Sequence, residues 1–209
     1  MRLVVATRSS GKTREIRELF AGLPFELVFP ESAGMTRVAE EEGLERGTRY
    51  LENAVAKARH FSERTGLPAI ADDSGLEVDA LGGAPGVRSA RFALLEPGLD
   101  PPGDLDAANN ALLLEKLKDV PEAKRTARYR CVVAYIESVS SPPEIVEATC
   151  EGHIITEPRG TDGFGYDPLF YANDLHMTFA EAPAATKHRV SHRGRAFRAL
   201  IEVLLRRHG

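Results

Sequence analysis

Apolar residues recur along this chain with two spacings, and each spacing predicts a different element. Short runs rich in β-branched and aromatic residues, bounded by turn formers, indicate buried strands; they are Leu3–Thr7, Phe25–Phe29, Ala127–Ile136 and Ile145–Thr149. Apolar residues at i, i+3, i+4 and i+7 indicate amphipathic helices; these stretches are 16–23, 51–58, 112–117 and 197–204. Strands and helices interleave without an internal repeat, so we expect an α/β fold with a mixed sheet.

The remaining segments follow neither spacing. Pro68–Ala71 predicts a short strand. The sequence DDSG follows at its end, and we expect the chain to turn at the glycine of that sequence. Glu31–Arg46 is acidic and contains two glycines, so we expect an irregular excursion there. The glycine-rich stretches Leu81–Ala93 and Gly160–Phe170 predict structured loops.

Length and charge restrict the class of protein. The chain has 209 residues, enough for one domain spanning positions 1–209. Its net charge of −4 argues against a nucleic-acid coat and a membrane-surface protein, so neither nucleic acid nor membrane is an expected partner. Leu3–Ala6 is too short for a signal-peptide core, and Cys131 and Cys150 fit no metal-binding spacing. We therefore expect a cytoplasmic protein with reduced thiols.

The stretch VVATRSSGKTREI, Val4 to Ile16, is the first candidate for chemistry. A strand passes through a polar turn into a helix, so free amides and the positive end of the helix dipole face one point. Gly11 allows the backbone to come close to a phosphate chain, and Lys12 adds a mobile cation. A P-loop needs glycine where Ala6 stands. The alternative is a plain helix N-terminus with a solvated lysine.

The stretch AIADDSG is the second candidate. Adjacent carboxylates at a strand end are able to hold Mg²⁺, which proteins often bind through one or two carboxylates plus substrate phosphates. Successive side chains of a strand point apart, so Asp72 and Asp73 serve one site only if the chain turns there. A solvated turn with an aspartate capping the backbone is the alternative.

The stretch GFGYDP is the third candidate, because Phe164 offers a flat apolar face for a base and Asp167 offers an acceptor. An aromatic plug in a tight turn is the alternative. The fourth is KHRVSHRGR, in which His188 and His192 have a helical metal-ligand spacing. Ser191 indicates that a helix begins between them. The cluster is therefore more consistent with a site that binds an anion and the edge of a base, with the forked guanidinium of Arg193 as the donor.

Taken together, these motifs resemble those of the inosine triphosphate pyrophosphatase family. The resemblance covers essentially the whole chain and rests on TRSSGK, ENAVAKA, ADDSGLEVDALGGAPG with SARF, GFGYDP and SHRG in the family's order. It implies a long mixed sheet flanked by helices, two lobes with a nucleotide cleft between them, and a homodimer. It also implies Mg²⁺-dependent hydrolysis of the non-standard purine nucleoside triphosphates ITP, dITP and XTP to the monophosphate and pyrophosphate.

The resemblance also implies roles for individual residues. Asp73 would be the general base and a metal ligand, Asp72 beside it would also bind the metal, and Lys12 would assist catalysis. The residues implied to bind substrate are Thr7, Arg8, Ser9, Ser10, Gly11, Lys12, Ser74, Phe164, Gly165, Tyr166, Asp167, Lys187, His192 and Arg193.

Three positions depart from the family's pattern. Ser9 stands where the family usually has Asn, and Arg88 replaces a usual tyrosine. The family's second metal carboxylate precedes a glycine upstream of ENA, and that spacing points to Glu45, with Glu41 and Glu42 as alternatives.

Two other classes stay open at this point. A P-loop-like ATP-binding kinase or a phosphate-binding regulatory module would bind ATP and release no pyrophosphate. A nucleic-acid-binding protein would use the basic C-terminal segment, which the acidic total charge disfavours.

Overall fold

The computed structural model describes residues 1–99 and 103–208. Its strands are β1 (Arg2–Val5), β2 (Glu26–Val28), β3 (Ala69–Val78), β4 (Thr126–Ile136), β5 (Glu144–Ile154), β6 (Phe170–Ala172) and β7 (Met177–Thr178). Within the described ranges they form one seven-stranded sheet in the order β2-β1-β3-β4-β5-β6-β7. β1 pairs in parallel with β2 and β3, whereas β5–β6 and β6–β7 are antiparallel. The predicted α/β fold with a mixed sheet is confirmed.

The α-helices are α1 (Ser10–Leu19), α2 (Tyr50–Thr65), α3 (Leu105–Leu117), α4 (Ala184–Val190) and α5 (His192–His208). α1 begins at its N-cap Ser9, whose side chain accepts a hydrogen bond from the amide of Lys12. α2 ends at Gly66, which takes the left-handed conformation that terminates many helices. The predicted excursion contains one short 3₁₀ turn, Ala39–Gly43.

The chain divides into two compact units, and each has its own apolar core. The first unit comprises Met1–Asp73, Cys131–Ala148 and Arg193–Gly209, and the second comprises Ser74–Arg130 and Thr149–His192. In the first unit, the ring of Phe20, which directly follows α1, meets the ring of Phe197 in α5 edge to face, with ring centres 6.2 Å apart. In the second, Leu113 and Leu117 of α3 are fully buried in a cluster with the aromatic residues Tyr129, Tyr166, Phe170 and Phe179.

The predicted turn at Gly75 is wrong. β3 runs through the sequence DDSG and ends only at Val78. Gly75 is not among the residues with positive φ, whereas Gly82 and Gly83 have φ values of 62° and 89°. The chain therefore turns after β3, where these glycines supply the left-handed backbone that a tight turn needs.

Position 152 of β5 has room only for glycine, because β6 passes close to it. A Cβ there would lie 2.3 Å from the carbonyl oxygen of Tyr171 and 2.7 Å from the ring of Phe170. We expect Gly152→Ala to lower the free energy of unfolding by about 1–3 kcal/mol through overpacking, measured by urea denaturation. Gly43→Ala is the matched control, since a Cβ there meets nothing within 4 Å. Equal stability of the two variants would contradict this packing.

Cys131 and Cys150 are both buried, and no disulfide joins them. Among the described residues, no helix combines the length and the apolar character that crossing a membrane requires.

Candidate active site

The turn between β1 and α1 presents a set of backbone donors. The hydroxyl of Thr7 accepts from the amide of Ser9 at 3.2 Å, and Ser9 in turn caps α1. Within the described part of the chain, the amides of Arg8, Ser10 and Gly11 find no protein acceptor. Because a helix N-terminus also carries partial positive charge, this turn is suited to binding an anion.

Strand register brings this turn level with the paired aspartates. Val5, the last residue of β1, lies opposite Ile70 of β3. The ammonium group of Lys12 consequently reaches Asp72, with Nζ 2.9 Å from Oδ2. The predicted meeting of Lys12 with the paired aspartates is present in the first unit, through Asp72.

Asp72 is buried among cations. Arg193 of α5 places Nε 3.3 Å and Nη2 3.4 Å from Asp72 Oδ2, and the same guanidinium donates from Nη1 to Glu15 at 2.6 Å. Burial by itself would raise the pKa of Asp72, but Lys12, Arg193 and Lys57 together lower it well below its ordinary value. Asp72 is therefore an ionised anchor for Lys12 and Arg193.

Asp73 has different partners because β3 continues as a strand and successive side chains alternate. Its Oδ2 accepts from Asn53 Nδ2 at 2.8 Å, and its Oδ1 lies 3.7 Å from Lys57 Nζ. Burial raises the pKa of Asp73, opposed by Lys57, Lys12 and the hydrogen bond from Asn53. A buried carboxylate with a raised pKa is a stronger base than an exposed one.

Lys57 connects Asp73 to the predicted excursion. Its Nζ donates to the carbonyl oxygen of Asp72 at 2.5 Å and to Glu45 Oε1 at 2.7 Å. Burial disfavours the charge on Lys57, but Glu45, Asp73 and Asp72 raise its pKa overall. Glu45 and Asp73 therefore share one cation, as two carboxylates of a single polar site.

The geometry distinguishes the three glutamates that the sequence left open. Glu45 reaches the Asp73 site through Lys57, whereas Glu42 is exposed. Glu41 is buried and accepts from Arg8 and Arg64. Of the three glutamates, Glu45 thus shares a cation with Asp73, and Glu41 holds the side chain of Arg8.

The GFGYDP loop lies in the second unit and is organised by Asp167. Asp167 Oδ2 accepts from the amide of Phe164 at 2.9 Å and from Lys187 Nζ at 2.7 Å. The ammonium group of Lys187 also lies 5.4 Å from the centre of the Phe164 ring. Gly163 has a φ of 83°, and a Cβ there would collide with Asp167 Oδ2. Asp167 therefore fixes the conformation of the loop by its contacts with Phe164 and Lys187.

Further contacts of the second unit fix the rest of this loop. Asp106 and Asn110, one turn apart on α3, bind the amide and the carbonyl of Gly165 at 2.7 and 2.9 Å. The hydroxyl of Tyr166 donates to the carbonyl of Ser89 at 2.9 Å. The substituted Arg88 beside it is exposed, and Ser74 lies within β3.

His192 and Arg193 begin α5 but have different surroundings. The His192 ring stacks on Tyr129, with ring centres 4.6 Å apart and planes 6° apart. The guanidinium of Arg193 is instead committed to carboxylates of the first unit, so its side chain does not have the environment expected of a base-edge donor. α4 ends at Val190 and α5 begins at His192, so His188 and His192 do not lie on successive turns of one helix.

Sequence reasoning missed three side chains of this site: Asn53, Lys57 and Glu15. The first two lie in the ENAVAKA motif, which carried the resemblance without a role being given to either. Their i, i+4 spacing beside Ala54 and Ala58 puts two polar side chains on the buried face of α2, and that is the signal that would have found them.

The open mixed sheet flanked by helices places the protein in the α/β class. Its polar site has buried carboxylates and lysines beside a helix N-terminus and is therefore suited to binding anions and cations. A model of the Ham1 family matches residues 3–203, and the chain belongs to that family. It is 48% identical over 205 residues to the dITP/XTP pyrophosphatase of Thioalkalivibrio sulfidiphilus, with 98% of each chain covered.

Solved structures of the family agree with this assignment. A HAM1 protein from Coxiella burnetii is 38% identical, has a TM-score of 0.82 and is matched over 99% of each chain. The nucleoside-triphosphatase / dITP/XTP pyrophosphatase from Mycobacterium abscessus is also 38% identical, with a TM-score of 0.68 over 96% of this chain and 98% of that one. The family resemblance inferred from the motifs is confirmed.

Proposed function

We propose that this protein hydrolyses non-standard purine nucleoside triphosphates to the nucleoside monophosphate and pyrophosphate, with dITP, XTP and ITP as substrates. The full-length relatives named dITP/XTP pyrophosphatase support this activity. The observation that carries it is the meeting of Lys12 with the Asp72–Asp73 segment, which places a cation from the anion-binding turn beside two buried carboxylates.

The site has the donors that Mg²⁺ prefers. Glu45 and Asp73 offer hard carboxylate oxygens around one shared cation, Lys57. Among the described residues there is no cluster of three or more His, Cys, Asp or Glu side chains able to hold a metal. Two carboxylates completed by substrate phosphates are a usual Mg²⁺ site, whereas a full protein cage is not. We therefore assign Mg²⁺ to Asp73 and Glu45; bound there, it neutralises charge on the phosphate oxygens.

In the proposed reaction, each functional residue of the first unit has a separate role. The free amides of the turn and Lys12 bind the phosphate chain, and Asp72 holds Lys12 in place. Asp73 accepts the proton of the attacking water as the new oxygen–phosphorus bond forms. The bond between the α-phosphorus and the bridging oxygen breaks, and pyrophosphate leaves with that electron pair.

Base selection follows from the hydrogen-bonding edge of the purine. Hypoxanthine and xanthine present an acceptor at O6 and a donor at N1, and adenine reverses both. A pocket matched to the first pattern leaves buried groups unpaired with ATP, which is worth about 10⁴-fold in discrimination. We assign the base to the GFGYDP loop, with Phe164 as the stacking face, together with Lys187 and His192.

A panel of nucleotides tests this function. Pyrophosphate release is measured with dITP, XTP, ITP, ATP and GTP in the presence of Mg²⁺. We expect turnover of the first three and a much lower kcat/KM for ATP, whose base reverses the hydrogen-bonding pattern. Comparable release from ATP would contradict the proposed selectivity. Binding of ATP without any release would favour a phosphate-binding module instead.

Glu45→Gln tests the metal assignment. The variant removes one of the two carboxylates but keeps the size of the side chain, so we expect the half-saturating Mg²⁺ concentration to rise by about 10-fold or more. The measurement is a Mg²⁺ titration of pyrophosphate release from dITP. Glu42→Gln, which removes an exposed charge three positions away, is the control. An unchanged Mg²⁺ requirement in Glu45→Gln would remove Glu45 from the metal site.

The homodimer and the cytoplasmic location stay predictions from the sequence and from the family resemblance. Size-exclusion chromatography with light scattering measures the first directly.

A further inference from the structure

Glu41 stands at the centre of an ionic cluster that the proposed chemistry does not use. Its Oε1 accepts from Arg8 Nη2 at 2.8 Å and from Arg64 Nη1 at 2.7 Å. Its Oε2 accepts from Arg8 Nε at 2.8 Å, which makes the Arg8 contact bidentate. The Glu41 side chain is only 4% exposed. We call Arg8, Glu41 and Arg64 the arginine clamp.

The arginine clamp ties together three segments of the first unit. Arg8 belongs to the anion-binding turn, Arg64 to the last turn of α2, and Glu41 to the excursion between β2 and α2. Both guanidinium groups also bind the excursion's backbone, through the carbonyl of Met35 at 2.8 Å for Arg8 and that of Thr36 at 3.1 Å for Arg64. Both lie 5.9 Å from the ring of Phe61. The excursion is thus held in place by side-chain interactions rather than by strand pairing.

The fastened segment leads directly to the proposed metal ligand. The amide of Leu44 donates to the carbonyl of Glu41 at 3.3 Å, and that of Arg46 donates to Gly43 at 3.4 Å. This short hydrogen-bonded run carries Glu45 to Lys57. Just beyond it, the amide of Gly47 donates to Asn53 Oδ1 at 2.9 Å, and Asn53 also binds Asp73.

We propose that Glu41 is a positioning residue, which through the arginine clamp holds Glu45 beside Asp73 and holds the anion-binding turn in register with both. This inference rests on the proposed function, since it assigns Glu45 to the metal. It accounts for two features together. The guanidinium of Arg8, in the anion-binding turn, makes a bidentate contact with Glu41, and Glu41 is buried although it is not the glutamate assigned to the metal. Glu41 touches neither reacting group.

Glu41→Gln is the test, because it keeps the side chain's size and removes the charge that both arginines need. We expect the half-saturating Mg²⁺ concentration and the KM for dITP to rise by about 10-fold, as in other losses of a group that orients a ligand. At saturating Mg²⁺ and dITP we expect kcat within about threefold of the wild type, since the reacting groups are intact. Glu40→Gln, an exposed neighbour, is the matched control for charge.

A binding measurement separates this inference from the proposed function. Mn²⁺ binding is followed by electron paramagnetic resonance in the presence of a non-hydrolysable α,β-methylene analogue of dITP. We expect weaker Mn²⁺ binding in Glu41→Gln and in Arg64→Leu, and recovery of most of the affinity in Arg64→Lys. Equal Mn²⁺ affinity in Glu41→Gln and Glu40→Gln would overturn the inference. Absence of pyrophosphate release from the wild type would instead overturn the proposed function, and circular dichroism verifies that each variant is folded.

Discussion

Asp73→Asn should lower kcat for dITP by about 10²- to 10⁴-fold, the usual contribution of a general base. The amide cannot take the proton of the attacking water, but it has the size of the carboxylate and still accepts the hydrogen bond from Asn53. At saturating Mg²⁺ the loss should therefore appear in kcat, with the affinity for a non-hydrolysable analogue changed much less. Steady-state kinetics and isothermal titration calorimetry separate the two quantities.

The control for this variant is Asp119→Asn, which makes the same chemical change at an exposed position of the chain. It should have wild-type kinetics. Near-normal turnover of Asp73→Asn at saturating Mg²⁺ would remove Asp73 from the mechanism. A loss confined to KM would show instead that Asp73 only binds.

Arg193→Leu should have the largest effect on stability, a loss of about 3–5 kcal/mol in the free energy of unfolding, because breaking a buried ion pair leaves charge behind in the interior. Arg193 is 2% exposed and binds both Glu15 and Asp72. Urea denaturation at pH 7 measures the difference. Arg206→Leu, at an exposed position of the same helix, is the control, and Arg193→Lys should recover part of the loss.

The pH dependence of this effect has a definite sign. The folded-state pKa of Asp72 is lowered, so its ionised form contributes stability that is fully present above its unfolded-state pKa of about 4. That contribution is lost as the pH falls toward the folded-state pKa. The gap in stability between wild type and Arg193→Leu should therefore narrow below about pH 4. A gap that widens in acid would contradict the assignment of Arg193 as the counter-ion of ionised Asp72.

The sequence predicts much of the fold because local patterns dominate there. The strand at Leu3–Thr7 and the helix after it follow from a β-branched run and from the helical spacing of apolar residues 16–23, and the structure places α1 after Ser9. The length of β3 was missed because a glycine within a strand and a glycine within a turn look alike in sequence. Only the backbone shows that the positive φ angles belong to Gly82 and Gly83.

The site was predictable where its parts lie in motifs that each indicate a chemistry, and unpredictable where they do not. The Lys12–Asp72 contact follows from two motifs that each suggest phosphate chemistry. The pairing of Arg193 with Glu15 joins residues 178 positions apart, and no local pattern indicates it. Asp72 and Asp73 look equivalent as neighbouring letters, yet strand alternation gives them different partners and pKa shifts of opposite direction.

Product analysis is the most direct test of the proposed hydrolysis to nucleoside monophosphate and pyrophosphate. Wild-type protein is incubated with dITP and Mg²⁺, and the phosphorus-containing products are identified and quantified by ³¹P nuclear magnetic resonance. We expect one nucleoside monophosphate and one pyrophosphate for each triphosphate consumed. Formation of nucleoside diphosphate and orthophosphate, or no turnover at all, would contradict it.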